Sequence, residues 1–176
     1  KEEFGEKLIS ISDNNNLEKI KEYTVKIMID EIKKDLSDLG VFMDSFVSES
    51  SLYKDGKVQE AIDYLTRLGL IYKGVLEKPK GSEDPDWVER EQDLFKSTMF
   101  GDDIDRPIKK IDGSWTYFAP DIAYHYDKIK RDYDEIIAMF GADHSGYSAR
   151  MKAVVKALSE GKKDLKIKLC QLVKLY

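Results

Sequence analysis

Two short segments of the sequence combine residue types that could bind a charged small molecule. In the first, Tyr117 and Asp121 flank a predicted corner between a strand and a helix, so both side chains could face one pocket. A carboxylate beside a phenol suits a cation, and a planar guanidinium matches it best, because it donates two parallel hydrogen bonds to one carboxylate. The alternative is that Asp121 only stabilises the N-terminus of its helix.

The second segment is the loop Gly141-Ala142-Asp143-His144, which follows a predicted strand. Ligands of open parallel α/β sheets bind outside the carboxyl ends of the strands, where this loop is expected to lie. Gly141 would allow close approach to the backbone. Asp143 and His144 offer hydrogen-bond acceptors and a donor, which suits ribose hydroxyls or an amino acid ammonium. The alternative is an ordinary β–α turn in which the aspartate caps the next helix.

Apolar residues at helical spacing predict the helices that would position these segments. The longest begins after the polar cluster Asp13–Asn16, which can cap it, and ends before Gly40, where a left-handed C-cap is expected. Another begins at Ala119-Pro120-Asp121, because proline is tolerated and an acid is favoured in a first turn. The predicted helices cover about residues 17–39, 58–68, 87–96, 119–133 and 148–158.

Short β-branched and aromatic runs bounded by turn residues predict the strands. Asp112-Gly113 lies between two of these runs and is a strong signal for a type I′ hairpin turn. The predicted strands cover residues 41–47, 70–76, 97–100, 107–111, 114–118, 135–140 and 165–173. Polar loops are predicted at residues 48–55, 77–86 and 141–146.

The order of these elements predicts an α/β fold. From residue 135 to residue 173 the order is strand, loop, helix, strand, which is typical of a βαβ unit with parallel strands and a right-handed connection. The short strands between about residues 70 and 118 predict a small β-rich insert. Residues 119–176 would then form the second half of a parallel α/β core.

Composition and charge restrict the function. The net charge is −5, so the chain lacks the basic field of a protein that grips nucleic acid over a wide surface. No apolar run reaches the roughly 18 residues that a membrane span needs. The single cysteine, Cys170, suits a reducing cytoplasm. The N-terminus shows neither a signal peptide nor an initiator methionine, so we expect the chain to be an internal piece of a larger enzyme.

Several common active sites are disfavoured. The spacing of His125 and His144 fits no compact metal-binding motif, and Cys170 is the single thiol, so no protein-bound metal is expected. The sequence also contains no GxxxxGK[ST], GxGxxG or GxSxG motif, which argues against a P-loop enzyme and a serine hydrolase.

Four segments, read in order, resemble arginyl-tRNA synthetase, a class I aminoacyl-tRNA synthetase. They are FVSESSLYKDGKVQEAIDYLTRLGLIY (46–72), FGDDIDRPIKKIDGSWTYFAPDIAYHYDKI (100–129), GADHSGYSARMKAVVKAL (141–158) and IKLCQLVKLY (167–176). The second segment is the most specific, and the last resembles the strand that leads into the family's KMSKS-type loop. Several motifs in this order are far more specific than any one of them alone.

The resemblance implies both a fold and site residues. The fold would be part of the Rossmann-like, HUP-type nucleotide-binding domain of class I synthetases. The implied arginine-binding residues are Tyr117, Asp121 and His144. The implied ATP- and adenosine-binding residues are Gly141, Asp143, His144, Gly146 and Tyr147. Tyr124 and His125 belong to the recognisable pattern, but the resemblance assigns them no role.

The resemblance also implies a reaction and its partners. The parent enzyme would activate L-arginine with ATP, accompanied by Mg²⁺, to arginyl-adenylate and then transfer arginine to tRNA(Arg). It would act as a monomer in the cytoplasm. The HIGH and KMSKS motifs and the tRNA-binding domains are absent from this chain, so we expect no catalytic residues here, little tRNA contact and negligible activity in isolation.

The chain departs from the family pattern at two positions. Ser145 stands where many members have a second histidine, and Pro120 stands where arginine is frequent. Neither position is among the assigned site residues. A non-enzymatic α/β interaction module with a synthetase-like fold is one alternative. A sister class I synthetase for cysteine or glutamate is another, and Tyr117 with Asp121 argues for arginine instead.

Overall fold

A computed structural model describes residues 14–77 and 89–174, and the chain divides into two compact units, residues 1–47 and 48–176. In the first unit, helix α1 spans Asn14–Asp38. It ends as predicted at Gly40, whose φ of 75° is left-handed. The N–H of Val41 then donates to the carbonyl of Leu36 at 2.8 Å, which satisfies one of the last free carbonyls of the helix.

The strand predicted at residues 41–47 is wrong. This segment has no regular secondary structure, and large apolar side chains within it, such as Phe42 at 78%, are exposed. The reason is that a strand requires a hydrogen-bonded neighbour. Val41 uses its N–H to close the helix end, and no other strand in the described ranges pairs with this segment.

The second unit is a mixed α/β structure, as predicted. Its helices are α2 (Glu49–Lys54), α3 (Lys57–Arg67), α4 (Phe118–Lys130) and α5 (Ser148–Leu158). Its strands are β1 (Ile71–Val75), β2 (Glu91–Phe95), β3 (Arg106–Pro107), β4 (Ile136–Gly141) and β5 (Leu165–Cys170). Two 3₁₀ helices, Ser97–Phe100 and Ala142–Tyr147, complete the described elements.

The helices form the core of this unit. Helix α4 packs against α2, α3 and α5. The amphipathic pattern of α3 explains its place in this core: its apolar residues recur at helical spacing, and Leu65 among them is fully buried. Burying one leucine contributes about 2 kcal/mol. The buried apolar side chains of these helices include Leu52, Val58, Ala61, Ile62, Leu65, Ile122, Ala123, Met151, Val154, Val155 and Leu158.

Two further predictions in this unit are wrong. The polar loop predicted at residues 48–55 contains helix α2. Its Leu52 side chain is only 2% exposed and anchors this helix in the core. The helix predicted at residues 87–96 is strand β2 over Glu91–Phe95, while residues 87 and 88 lie outside the described residues. β2 pairs antiparallel with β1 on one side and with β3 on the other, so tertiary pairing overrides its local helical pattern.

The strand predicted at Ser97–Phe100 is also wrong, because this segment is a 3₁₀ helix. Local side chains satisfy its polar groups instead of a sheet partner. The Ser97 hydroxyl donates to the Ile104 carbonyl at 2.7 Å, and the Thr98 N–H donates to the Asp105 carboxylate at 3.0 Å.

The hairpin before α4 is present but smaller than predicted. Strand β3 covers only Arg106–Pro107, and beyond it a single bridge joins Lys109 to Trp115. The turn is not type I′, because Gly113 has a φ of 80° whereas Asp112 has no positive φ. Gly113 donates its N–H to the Lys110 carbonyl at 3.1 Å, which is typical of a three-residue loop with glycine in the left-handed position.

The βαβ unit at the end of the chain is confirmed. Strands β4 and β5 pair in parallel, from Ile136 opposite Leu165 to Gly141 opposite Cys170, and α5 connects them. β5 ends three residues earlier than predicted. The loop predicted at 141–146 is mostly the second 3₁₀ helix. Because parallel strands end at one edge, this 3₁₀ helix lies at the carboxyl edge of the pair. The loop predicted at 77–86 lies, apart from Glu77, outside the described residues.

Candidate functional site

A cavity of 430 Å³ lies at the carboxyl edge of β4, beside helix α4. Four elements line it: one face of α4, the end of β4, the second 3₁₀ helix and the first turn of α5. The lining residues are Asp121, Tyr124, His125, Lys128, Phe140, His144, Tyr147 and Met151. This volume is in the range of small-molecule sites, and aromatic and apolar walls with a few polar groups are typical of them.

Asp121 supplies a carboxylate to this cavity from the first turn of α4. The Tyr147 hydroxyl donates to its Oδ2 at 2.7 Å. Burial raises the pKa of Asp121, while the Tyr147 hydrogen bond and the positive charges of Lys128 and Arg150 oppose the rise. An ionised but poorly solvated carboxylate favours a cation, because a bound cation replaces the solvation that burial removed.

Tyr147 also contacts a cationic side chain. The Arg150 guanidinium lies 4.6 Å from the centre of its ring and 5.6 Å from the centre of the Phe118 ring. Burial and the hydrogen bond to Asp121 raise the pKa of Tyr147, so the phenol remains a donor at neutral pH. The 3₁₀ helix that follows β4 is thereby tied to α4.

His125 lies one helical turn after Asp121 and is 4% exposed. Its Nδ1 is 2.9 Å from the backbone carbonyl oxygen of Asp121. A carbonyl only accepts, so Nδ1 carries the proton. Among the described residues, Nε2 is buried and has no hydrogen-bond partner. Burial and the nearby Lys128 charge lower the pKa of His125 to about 4, so the ring is neutral at physiological pH.

Lys128 is the one ammonium group among the cavity-lining side chains. Its Nζ lies 4.0 Å from the centre of the Tyr124 ring, within cation–π range. Burial and the charge of Arg131 lower the pKa of Lys128, and the charge of Asp121 opposes this.

The structure brings some of the predicted site residues together and leaves others apart. Asp121, His144 and Tyr147 line the one cavity. Tyr117 does not line it: the side chain is 83% exposed, and the Lys110 Nζ lies 5.3 Å from the centre of its ring. Tyr117 is the residue immediately before α4, and its side chain faces solvent there.

The predicted nucleotide-side residues form the rim at the end of β4. An added Cβ at Gly141 would lie 2.4 Å from Asp143 Oδ1, so glycine lets this carboxylate fold back over the strand end. His144 Nε2 is 3.5 Å from Asp143 Oδ2, and both side chains are largely exposed. Gly146 is also exposed, and a Cβ there would meet nothing within 4 Å.

Sequence reasoning missed most of the cavity wall. Tyr124, His125 and Lys128 follow Asp121 at spacings of three, four and seven, which place all four on one face of a helix. This spacing could have indicated from the sequence that these three side chains share a helix face with Asp121. Phe140 and Met151 are apolar residues of a strand and a helix, and such residues are ordinarily assigned to a core.

Two general features of the described residues bear on ligand classes. None of the helices in these residues combines the length and the hydrophobicity that a membrane span requires. Over the same residues, no group of three or more His, Cys, Asp or Glu side chains is arranged to hold a metal ion.

Comparison with known proteins finds arginine–tRNA ligases among the relatives of this chain. No protein-family model matches the chain. It is 55% identical over 176 residues to an arginine–tRNA ligase of Ruegeria sp. (strain TM1040) and 56% identical over 176 residues to one of Ruegeria pomeroyi. Each match covers 100% of this chain and 30% of the relative. An arginine–tRNA ligase of Roseobacter denitrificans is 61% identical over 160 residues, which are 91% of this chain and 28% of the relative.

A solved structure agrees with these relatives. A crystal structure of a Campylobacter jejuni protein assigned as an arginyl-tRNA synthetase superimposes with a TM-score of 0.76 and 32% identity. The match covers 97% of this chain and 34% of that one. The resemblance drawn from the four sequence segments is therefore confirmed. The chain is homologous along its whole length to a segment of arginine–tRNA ligases, and it spans about 30% of the length of these relatives.

Proposed function

We propose that this chain supplies the arginine side-chain pocket, and part of the nucleotide-binding edge, of an arginine–tRNA ligase. The observation that carries the proposal is the Asp121 carboxylate, which lines a cavity of 430 Å³ and accepts a hydrogen bond from Tyr147. The homology to arginine–tRNA ligases supports it.

The chemistry of the cavity favours a guanidinium over other cations. A carboxylate presents about four lone-pair sites, and Tyr147 uses one on Oδ2. The remaining sites can accept two parallel N–H groups of a planar guanidinium. The aliphatic part of an arginine side chain would lie against apolar wall residues such as Phe140 and Met151. Tyr117 remains a proposed arginine contact, and from its exposed position it would reach the ligand only after rotating its side chain.

The nucleotide edge is proposed at the carboxyl ends of β4 and β5. Gly141, Asp143, His144 and Gly146 lie there, where open parallel sheets bind their ligands. Exposed Asp143 and His144 side chains can contact the ribose hydroxyls of ATP. This placement fits a Rossmann-like, HUP-type domain. In it, residues 119–176 form half of the core and residues of about 70–118 form a β-rich insert.

The reaction of the parent enzyme would join the arginine carboxylate to the α-phosphate of ATP, releasing pyrophosphate, and then transfer arginine from the adenylate to tRNA(Arg), releasing AMP. We propose that this chain contributes positioning, because its sequence contains neither a HIGH nor a KMSKS motif. We propose that Mg²⁺ arrives bound to the ATP phosphates. We propose a monomeric cytoplasmic parent in which this segment contacts little of the tRNA.

The test uses a chimaera. The matching segment of the Ruegeria sp. arginine–tRNA ligase, with which this chain aligns over 176 residues, is replaced by this chain. The chimaera should catalyse arginine-dependent ATP–pyrophosphate exchange, and the Asp121→Asn chimaera should lose arginine use while keeping its affinity for ATP. An unchanged KM for arginine in this variant would refute the proposal. The 176-residue chain alone should show no exchange, and measurable exchange would contradict the assignment of catalysis to other parts of the parent.

A further inference from the structure

We propose that His125 is a specificity-determining residue of the same pocket, whose Nε2 accepts a hydrogen bond from the guanidinium that Asp121 binds. This inference rests on the proposed function and adds to it a second acceptor. It concerns a residue to which the family resemblance assigned no role. The observation behind it is a buried imidazole in the cavity wall with one nitrogen committed to the protein and the other without a partner.

The tautomer follows from the backbone contact. Nδ1 lies 2.9 Å from the Asp121 carbonyl oxygen, which accepts and cannot donate, so the proton is on Nδ1. In the neutral ring Nε2 then carries only a lone pair. Since Nδ1 faces its own helix, Nε2 is the end of the ring farther from the backbone of α4. The ring is therefore oriented as an acceptor, and this orientation is set by main-chain geometry.

A buried acceptor of this kind requires a donor. Buried polar groups in folded proteins are nearly always hydrogen-bonded, and an unsatisfied one disfavours the folded state. Two donors of the cavity wall have other contacts: the Tyr147 hydroxyl donates to Asp121, and the Lys128 ammonium lies over the Tyr124 ring. Among the described residues none donates to Nε2. In this proposal, an N–H group of a ligand in the cavity is the donor to Nε2.

The spacing of the two acceptors fits a guanidinium. Asp121 and His125 are at positions i and i+4 of α4, so their Cβ atoms are about 6 Å apart on one face of the helix. A guanidinium carries five N–H donors in one plane. Two can pair with the Asp121 carboxylate, and a third on the other edge can point to His125 Nε2. An ammonium group is too compact to donate well to both the Asp121 carboxylate and His125 Nε2. The two acceptors together therefore favour a guanidinium over an ammonium.

The charges around the ring support an accepting role. The titratable groups that share the cavity with His125 are Asp121, Tyr124 and Lys128 on α4, and His144 and Tyr147 on the 3₁₀ helix. Burial, and then the Lys128 charge, lower the pKa of His125. A neutral imidazole can accept from a cation, whereas an imidazolium would repel it and would have no lone pair.

Two substitutions at one position test the proposal in the chimaera. In His125→Asn, the amide nitrogen can replace Nδ1 and keep the bond to the Asp121 carbonyl, but the distal acceptor is lost. In His125→Gln, the longer side chain returns an amide oxygen to the place of Nε2. We expect His125→Asn to raise KM for arginine about tenfold, which corresponds to about 1.4 kcal/mol, with KM for ATP unchanged. His125→Gln should recover most of this loss.

The outcomes separate this inference from the proposed function. If the wild-type chimaera uses arginine and Asp121→Asn abolishes it, while His125→Asn equals wild type, the inference is overturned and the proposed function stands. If Asp121→Asn has no effect, the proposed function itself fails. Equal losses in the Asn and Gln variants would indicate a packing role for His125 and would also overturn the inference.

A measurement on the unsubstituted chain keeps the proposal testable if a variant does not fold. The chain has two histidines, so ¹⁵N-histidine labelling gives few imidazole signals. For His125 at neutral pH, Nδ1 should be protonated and Nε2 should show the shift of an unprotonated nitrogen. Added L-arginine should move the Nε2 signal towards that of a hydrogen-bonded nitrogen. A protonated Nε2 in the neutral ring, or a bound-state spectrum without any change at Nε2, would overturn the proposal.

Discussion

Replacing Asp121 by asparagine should separate ligand binding from folding. Asparagine has nearly the same shape, and its Oδ1 can still accept the Tyr147 hydroxyl that donates at 2.7 Å in the wild type. The substitution removes the negative charge and one of the two acceptors that a guanidinium needs. Asp121 is therefore the position at which the proposed cation pocket is tested with the least disturbance of its walls.

The expected loss of affinity follows from the geometry. A hydrogen bond to a charged group contributes about 1.5–3 kcal/mol, and an ion pair at 4 Å near a protein surface about 4 kcal/mol. The carboxylate is partly desolvated, as its raised pKa indicates, so we take about 3 kcal/mol. This corresponds to about a hundredfold weaker arginine binding or lower kcat/KM.

Stability should behave differently. Because burial raises the pKa of Asp121, the ionised carboxylate disfavours the folded state at neutral pH, and a neutral amide removes this effect. The amide also forgoes the favourable interaction of an acid with the helix N-terminus. The two effects oppose each other, so the free energy of unfolding should change by less than about 1 kcal/mol.

The matched control is Asp127→Asn on the same helix. Asp127 forms ion pairs with Lys57 at 2.9 Å and Arg131 at 2.6 Å and does not line the cavity. We expect it to lower stability modestly and to leave arginine use unchanged. Urea unfolding of the chain and arginine-dependent pyrophosphate exchange by the chimaera measure the two properties. Equal effects of the two variants on arginine use would refute the reasoning.

Three further predictions concern stability and the site rim. The pKa of His125 is about 4 in the folded chain and about 6.5 in the unfolded chain, so the unfolded chain takes up the proton first as the pH falls. Between pH 6.5 and pH 4, the free energy of unfolding of the wild type should therefore fall by about 3 kcal/mol more than that of His125→Asn. Urea unfolding at each pH measures this difference. Leu65→Ala, at a fully buried position, should cost about 2–5 kcal/mol, and a loss below 1 kcal/mol would contradict the assigned core. Gly141→Ala should displace the flexible Asp143 carboxylate, which an added Cβ would approach to 2.4 Å, and should raise KM for ATP in the chimaera with little loss of stability.

The sequence predicted the helices best where apolar periodicity and an end signal agree. α5 was predicted with its observed ends, and α1 ends at the left-handed Gly40 as expected. The predictions failed where tertiary pairing decides. Residues 91–95 have no strong strand pattern, but they form a strand because β1 and β3 pair with them on either side. Residues 41–47 have a strand-like composition, but no strand in the described ranges pairs with them.

The site was predicted in part for a similar reason. Asp121 and the loop after β4 were identifiable by residue type, and the structure brings Asp121 together with Tyr147 across 26 positions of the chain. That long-range contact has no local signature. The spacing from Asp121 places His125 on the same face of α4, but the sequence does not distinguish a histidine that lines a cavity from one that is buried in the core.

The hydrogen bond from Tyr147 to Asp121 has a consequence for conformational entropy. An aspartate side chain that is free to rotate loses rotamer freedom when it binds a ligand, and this loss weakens binding. Here the phenol already holds the carboxylate in one orientation, and Arg150 holds the phenol. The ordering therefore occurs on folding, before any ligand arrives, and a cation meets an acceptor that is already aligned.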